Sequence, residues 1–314
     1  MKIVITDADT VTGGDLSLER FAKFGELKIY GLTGETELIE RIQDADIVLC
    51  NKTLIGRKAM EAAGNLKMIG LFATGYNNID TVCAHEKGIA VCNVPGYSTE
   101  AVAQHAFAFI LALLNRVGEY NETVREGDWI RSRTFSYFPL PLKELAGKTL
   151  GIIGYGSIGR RVGDIALAFG MKVLAYSRHG IDDPHVTYAS LDEIYAQSDI
   201  ITLHCPLNDD SRGMINRDSI AKMKDCVYLI NTARGPLINE KDLREALESG
   251  KVAGAGVDVL CKEPMDADCP LYQAPNCLIT PHIAWAGLET RRRLLDIVED
   301  NICALIAGKP IHTV

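Results

Sequence analysis

Several things are missing from this sequence of 314 residues, and each absence removes a class of function. It has no basic excess: 33 Lys and Arg face 41 Asp and Glu, for a formal net charge of −8. Nucleic-acid binding rests on a strong positive footprint, so that partner is not expected. No apolar run reaches membrane length. The longest, "AVAQHAFAFILALL" (101–114), is interrupted by Gln104 and His105 and reads as a buried helix. No long apolar leader opens "MKIVITDADT", so no signal peptide is expected. The nine cysteines are odd in number and include no Cys-x-x-Cys pair. That spacing argues against a disulfide framework or a zinc site, so no metal is expected, and it suits free thiols in a reducing cytoplasm. Neither a low-complexity segment nor a fixed-period repeat is present.

What is there is alternation. Short β-rich runs at 2–6, 26–31, 46–50, 66–72 and 89–94 are separated by amphipathic stretches such as 36–43 and 55–63. A second series runs through 148–154, 172–177, 199–205, 227–232, 253–259 and 277–282, with long helical patterns at 99–117 and 287–307 at its ends. Alternation of this kind predicts α/β architecture with parallel sheets. The length favours two domains. The expected fold is a pair of doubly wound parallel-sheet domains, a Rossmann dinucleotide domain (101–287) inserted into a flavodoxin-like substrate domain (1–100 plus 288–314), with a cleft between them. Ligands are expected at the carboxyl ends of the strands.

"LGIIGYGSIGRRVG" places Gly154, Gly156 and Gly159 in G-x-G-x-x-G spacing. The hexapeptide alone is weak. An apolar strand before it and an amphipathic helix after it supply the context that dinucleotide binding needs. The second strand of such a unit usually ends in a carboxylate that holds the adenosine ribose. Here Ser177 and Arg178 stand there. Ser177 removes the charge that would repel a 2′-phosphate, and Arg178 offers a planar fork of donors to it. NADP(H) is therefore favoured over NAD(H), although an exposed arginine indifferent to the phosphate is the plainer reading.

Three later strand ends carry polar residues that a core would not need. Arg234 follows one in "NTARGP", Asp258 ends the next with Glu263 beyond it, and His282 follows a third in "TPHIAW", with Trp285 after it. Arginine can grip a carboxylate and an adjacent keto oxygen, and histidine can exchange a proton near neutral pH. A glutamate bonded to the imidazole would stabilise its protonated form and fix its orientation. Beside a nicotinamide, that set would interconvert 2-keto and 2-hydroxy acids. Taken singly, each residue has a bland alternative as a loop cap, a surface charge or a structural histidine.

The segments "ATGYNNID", "VPGYSTEAVAQH", "LAGKTLGIIGYGSIG", "LHCPL", "NTARGPLINE", "GAGVDVL" and "ITPHIAWA", in this order, resemble the D-isomer-specific 2-hydroxyacid dehydrogenase family almost end to end. "FATGYNNID", "VCNVPGYST" and "PHIAWA" are most similar to its glycerate dehydrogenase, or hydroxypyruvate reductase, branch. The resemblance implies that Arg234 binds substrate carboxylate and carbonyl, that His282 donates the proton, and that Glu263 is its partner. It implies that Asp258 holds the nicotinamide carboxamide, and that Thr74, Ser157, Ile158, His204, Cys205, Pro206, Thr232 and Ala233 line the cofactor. The backbone around Ala73, Thr74, Gly75 and Tyr76 would hold the substrate carboxylate, with Trp285 near the substrate. A homodimer through the cofactor domains is implied as well. Other small 2-keto acids such as pyruvate or 2-ketobutyrate, and a non-catalytic nicotinamide-sensing role, stay open as alternatives.

Overall fold

The computed structural model describes residues 1–314, which divide into two compact units, Met1–Ser98 with Ala286–Val314 and Thr99–Trp285. The first holds five strands: β1 (Lys2–Ile5), β2 (Glu26–Ile29), β3 (Ile47–Cys50), β4 (Met68–Leu71) and β5 (Ala90–Cys92). All pair in parallel, in the order β2-β1-β3-β4-β5, which is the flavodoxin-like winding. β3 and β4 are apolar and buried at all four positions, as strands covered on both faces should be. β2 lies at the edge and is largely exposed. The helix Leu288–Ile306 belongs to this unit, burying Leu294, Leu295, Val298 and Ile302. Arg291 ties its start to Asp15 at 2.5 Å, and Arg20 joins Asp296 and Glu299 at 2.7 and 2.9 Å. Arg293 donates to the carbonyl of Tyr97 at 2.9 Å.

The second unit holds seven parallel strands: β6 (Thr149–Ile153), β7 (Lys172–Tyr176), β8 (Thr187–Tyr188), β9 (Ile200–Leu203), β10 (Val227–Asn231), β11 (Val252–Val257) and β12 (Cys277–Ile279). Their order is β12-β11-β10-β9-β6-β7-β8. Counted from β6, this is the doubly wound Rossmann order with one added strand, and it reverses direction between β6 and β9. The two-residue β8 has no sequence signal of its own. At the sheet edge Thr187 and Tyr188 pair in parallel with Leu174 and Ala175 of β7. One face of the sheet packs on the helix Thr99–Asn115, which buries Ala103, Ala106, Phe107, Phe109, Ile110, Leu113 and Leu114. No single helix is long and apolar enough to cross a membrane.

Register decides what stands at the working edge of this sheet. Tyr176, Ile153, Leu203, Asn231, Val257 and Ile279 are cross-strand partners in one row. The residues that follow them, Ser177, Gly154, His204, Thr232, Asp258 and Thr280, therefore leave the sheet along one line. That line spans five strand spacings, roughly 24 Å.

Candidate active site

The phosphate turn is built on contact limits that only glycine meets. A Cβ on Gly159 would lie 2.1 Å from the carbonyl oxygen of Gly154, and one on Gly154 would lie 2.4 Å from the amide of Cys205. Nothing stands within 4 Å of a Cβ on Gly156. The protein does not need glycine at that position; a phosphate arriving against the backbone does. The helix Ser157–Ala168 begins there without a side-chain cap, leaving the amides of Ser157, Ile158 and Gly159 to a ligand.

Two buried polar atoms further along the edge also lack a protein partner, Nδ1 of His204 and Oγ1 of Thr232. Burial pushes His204 down to about 3, so its ring stays neutral, with Nε2 held 2.8 Å from Oγ1 of Thr202. Orphaned atoms of this kind cost free energy unless something meets them. Together with the open glycine turn they fit a dinucleotide lying along the row.

At the adenosine end, Ser177 Oγ accepts from the amide of His179 at 3.3 Å, and Arg178 is exposed, 3.9 Å from Asp210. Both charges are well hydrated, which makes this a weak and easily exchanged pair. Asp183 follows the strand end too late to meet the ribose. It accepts instead from the Tyr155 hydroxyl at 2.8 Å and from Arg160 at 3.2 Å. Burial and Asp183 push the Tyr155 phenol up.

At the other end the three predicted chemical groups stand on adjoining loops. His282 Nδ1 lies 2.6 Å from Oε2 of Glu263. The carboxylate therefore accepts from Nδ1–H, and Nε2 is the nitrogen left for chemistry. His282 occupies the left-handed region, φ 54°, where few side chains sit without support. That support comes largely from Asp258, which is 1 % exposed. Its Oδ1 accepts from the amide of Ile283 at 2.8 Å and from Thr280 Oγ1 at 2.5 Å, while Oδ2 accepts from the amide of Ala284 at 2.8 Å. Its carbonyl takes the His282 amide at 2.8 Å, and the Trp285 indole closes the turn by donating to the His282 carbonyl at 3.0 Å. Asp258, expected to meet the nicotinamide carboxamide, is first of all the clamp of the histidine turn. A free lone pair on Oδ2 is what remains for a carboxamide.

Thr280 was not singled out by sequence; its second partner is His105, from the helix Thr99–Asn115. The Thr280 hydroxyl has one proton, and it goes to Asp258, so His105 Nε2, at 2.9 Å, must donate to the same oxygen. His105 packs edge-on against Phe109. It is a structural, hydrogen-bonded residue.

Arg234 stands exposed at the start of a 3-10 turn, bonded through Nη1 to the carbonyl of Ala233 at 2.7 Å. No acidic side chain neutralises it, so its fork is available to an anion. Asn231, 1 % exposed, shapes this turn: its Oδ1 accepts from the Ala233 amide at 3.0 Å and its Nδ2 donates to the Arg234 carbonyl at 2.9 Å. A Cβ on Gly235 would collide with Leu260 at 1.9 Å, so glycine lets the arginine loop press against the loop that carries Glu263. In the other unit, the Ala73–Tyr76 loop follows β4. There the Thr74 hydroxyl donates to the Val94 carbonyl at 2.7 Å. No cluster of three or more His, Cys, Asp or Glu side chains is arranged to hold a metal.

Residues 107–284 match the NAD binding domain of the D-isomer specific 2-hydroxyacid dehydrogenases. The chain belongs to this family. As a D-2-hydroxyacid dehydrogenase it is an oxidoreductase that acts on the CH–OH group with NAD(P). It is 47 % identical over 320 aligned positions to a hydroxypyruvate reductase of Blautia hydrogenotrophica, covering all of this chain and 99 % of the relative. Among solved structures, an acyclic imino acid reductase in complex with NADPH and D-Arg is 31 % identical with a TM-score of 0.89 over the full length of both chains. A D-lactate dehydrogenase of Aquifex aeolicus, complexed with NAD and lactic acid, is 31 % identical with a TM-score of 0.85 over 99 % of both chains. Neighbours of the same fold thus carry either nicotinamide dinucleotide.

Proposed function

We propose that this dehydrogenase reduces hydroxypyruvate, or the smaller glyoxylate, to the corresponding 2-hydroxy acid, with NADP(H) preferred over NAD(H). The observation that carries the reading is the 2.6 Å His282–Glu263 pair on a loop beside an arginine without an acidic partner. The 47 % identity to a hydroxypyruvate reductase supports the substrate.

The bound cofactor supplies the hydride. Arg234 grips the carboxylate and the keto oxygen, which orients the carbonyl and draws electron density toward that oxygen. His282 Nε2–H delivers the proton to the developing alkoxide, and Glu263 stabilises the imidazolium that must be present beforehand. Asp258 and Trp285 keep the histidine turn in its left-handed conformation. The amides of the Ala73–Tyr76 loop are assigned to the substrate carboxylate, and Trp285 to the substrate's C3 end. Thr232, Ala233, His204, Cys205 and Pro206 are assigned to the cofactor. The complete Arg–Glu–His set supports a catalyst over a nicotinamide sensor.

The cofactor preference rests on Ser177 and Arg178. Arg178→Ala is expected to weaken NADPH binding by on the order of tenfold to a hundredfold, the value of one charge-assisted contact. NADH binding should change little. Fluorescence titration with both dinucleotides decides it: equal losses for the two mean that Arg178 does not read the 2′-phosphate.

We assign the chain to a homodimer joined through the cofactor domains, in a reducing cytoplasm. All nine cysteines are free thiols, which supports that compartment. The segment 128–142 supports the dimer, because Ile130, Phe135 and Phe138 are 88, 91 and 80 % exposed. Apolar groups so bare within one stretch of chain point to a protein interface. Phe135→Asp with Phe138→Asp should move the sedimentation coefficient from that of a dimer to that of a monomer. A wild-type protein that sediments as a monomer contradicts the assignment.

A further inference from the structure

The unit built on the five-stranded sheet contains a polar chain, buried at Asn93 and Asn301, that ends on the loop assigned above to the substrate carboxylate. The amides of Thr74, Gly75 and Tyr76 meet no acceptor within the protein. Their neighbouring carbonyls, in contrast, are tied down. Val94 N donates to the Ala73 carbonyl at 2.9 Å, and Asn93 Nδ2 donates to the Thr74 carbonyl at 2.8 Å. A trans peptide is planar, with its C=O and N–H pointing in opposite directions. Holding those two carbonyls therefore aims the amides of Thr74 and Gly75 the other way, toward the free side of the loop.

Asn93 is itself pinned on both sides. Its carbonyl accepts from Asn301 Nδ2 at 3.0 Å, and its amide donates to the His312 carbonyl at 3.1 Å. Asn301 is fully buried in the helix Leu288–Ile306, where an apolar residue would cost less. Its Oδ1 can only accept, so His312 Nδ1, at 2.9 Å, must donate. The segment Ile311–Val314 is exposed, yet it is laid antiparallel along β5, with Thr313 paired to Cys92 and the Val314 amide on the Val91 carbonyl at 3.0 Å.

We propose that Asn93, anchored by Asn301 and by His312, is a positioning residue that aims the amides of Thr74 and Gly75 at the carboxylate of the 2-keto acid. This rests on the carboxylate role given to the Ala73–Tyr76 loop. It extends that role to the helix Leu288–Ile306 and to the segment beyond it, which touch no reacting atom. Affinity for the keto acid is then set by this chain separately from hydride transfer and from cofactor binding.

Asn93→Asp is the sharp variant. It is isosteric, keeps both backbone bonds, and turns the donor facing the Thr74 carbonyl into an acceptor. Deleting residues 311–314 removes the outer anchor without opening the core. Steady-state kinetics with hydroxypyruvate, and inhibition by oxalate as a non-reacting carboxylate, read the loop. Fluorescence titration of NADPH reads the cofactor site. For Asn93→Asp, the KM and the oxalate inhibition constant should rise on the order of tenfold, and for the deletion several-fold. The kcat and the NADPH Kd should stay within about twofold, the pattern of lost ground-state binding. An unchanged KM in both variants overturns the proposal, as does a matched loss of KM, kcat and NADPH affinity. If Asn93→Asp does not fold, the deletion decides by the same split. A wild-type protein that does not reduce hydroxypyruvate, or that reduces it without inhibition by oxalate, overturns the carboxylate reading itself, and is told apart because the failure precedes any substitution.

Discussion

Replacing His282 with asparagine is expected to lower kcat for keto-acid reduction by on the order of 10³-fold, with NADPH affinity unchanged. A positioned general acid contributes about 10² to 10⁴ in rate. Asparagine is the cleaner replacement because His282 sits at φ 54°, a conformation that asparagine tolerates and alanine resists. The turn should survive, since its bonds run through the His282 amide and carbonyl and through Asp258. The same geometry gives the effect expected at its partner. Glu263 accepts from His282 Nδ1 at 2.6 Å and fixes the ring, so Glu263→Gln should lower kcat by on the order of tenfold, the value of one charge-assisted bond, with NADPH affinity unchanged. A Glu263→Gln variant with wild-type kcat contradicts the pairing.

The second large effect is expected at Arg234. Arg234→Ala should reduce kcat/KM for the keto acid by roughly 10² to 10⁴, since two charge-assisted bonds of about 1.5 to 3 kcal/mol each are lost. Both KM and kcat should worsen, because the carboxylate contact exists in the ground state while the carbonyl contact strengthens as negative charge develops. Arg234→Lys should recover only part of the loss, as an ammonium cannot present two parallel donors. Steady-state kinetics on the three proteins measure this directly. A lysine variant as active as the wild type would mean that the arginine acts as a plain positive charge.

The alternating apolar runs place the strands, and parallel pairing carries Ser177, Gly154, His204, Thr232, Asp258 and Thr280 to one edge. For that reason the candidate residues are legible in the sequence: they sit at strand ends, where periodicity stops and polar residues need a reason. The groups that hold them were not legible. Asn231 ends a buried strand and reads as part of it, while its side chain folds forward to shape the Arg234 turn. Thr280 and His105 lie 175 residues apart, and no local pattern announces a contact of that kind. The family resemblance alone makes Asp258 a ligand to the cofactor. Only its three loop contacts show how much of the carboxylate is spent on orienting His282. The Asp210–Arg178 pair was likewise invisible, since it depends on where the loop after β9 returns. It means that any anion taken by Arg178 has to draw it away from a weak, hydrated partner.

Hydride transfer to a small 2-keto acid is tested by mixing purified protein with NADPH and hydroxypyruvate and following the nicotinamide absorbance over time. The expected result is rapid loss of the reduced-nicotinamide absorbance, faster at low concentration with NADPH than with NADH, and stopped by His282→Asn. No oxidation of either dinucleotide with hydroxypyruvate, glyoxylate or pyruvate would contradict the account and leave the chain as a nicotinamide-binding protein without this chemistry.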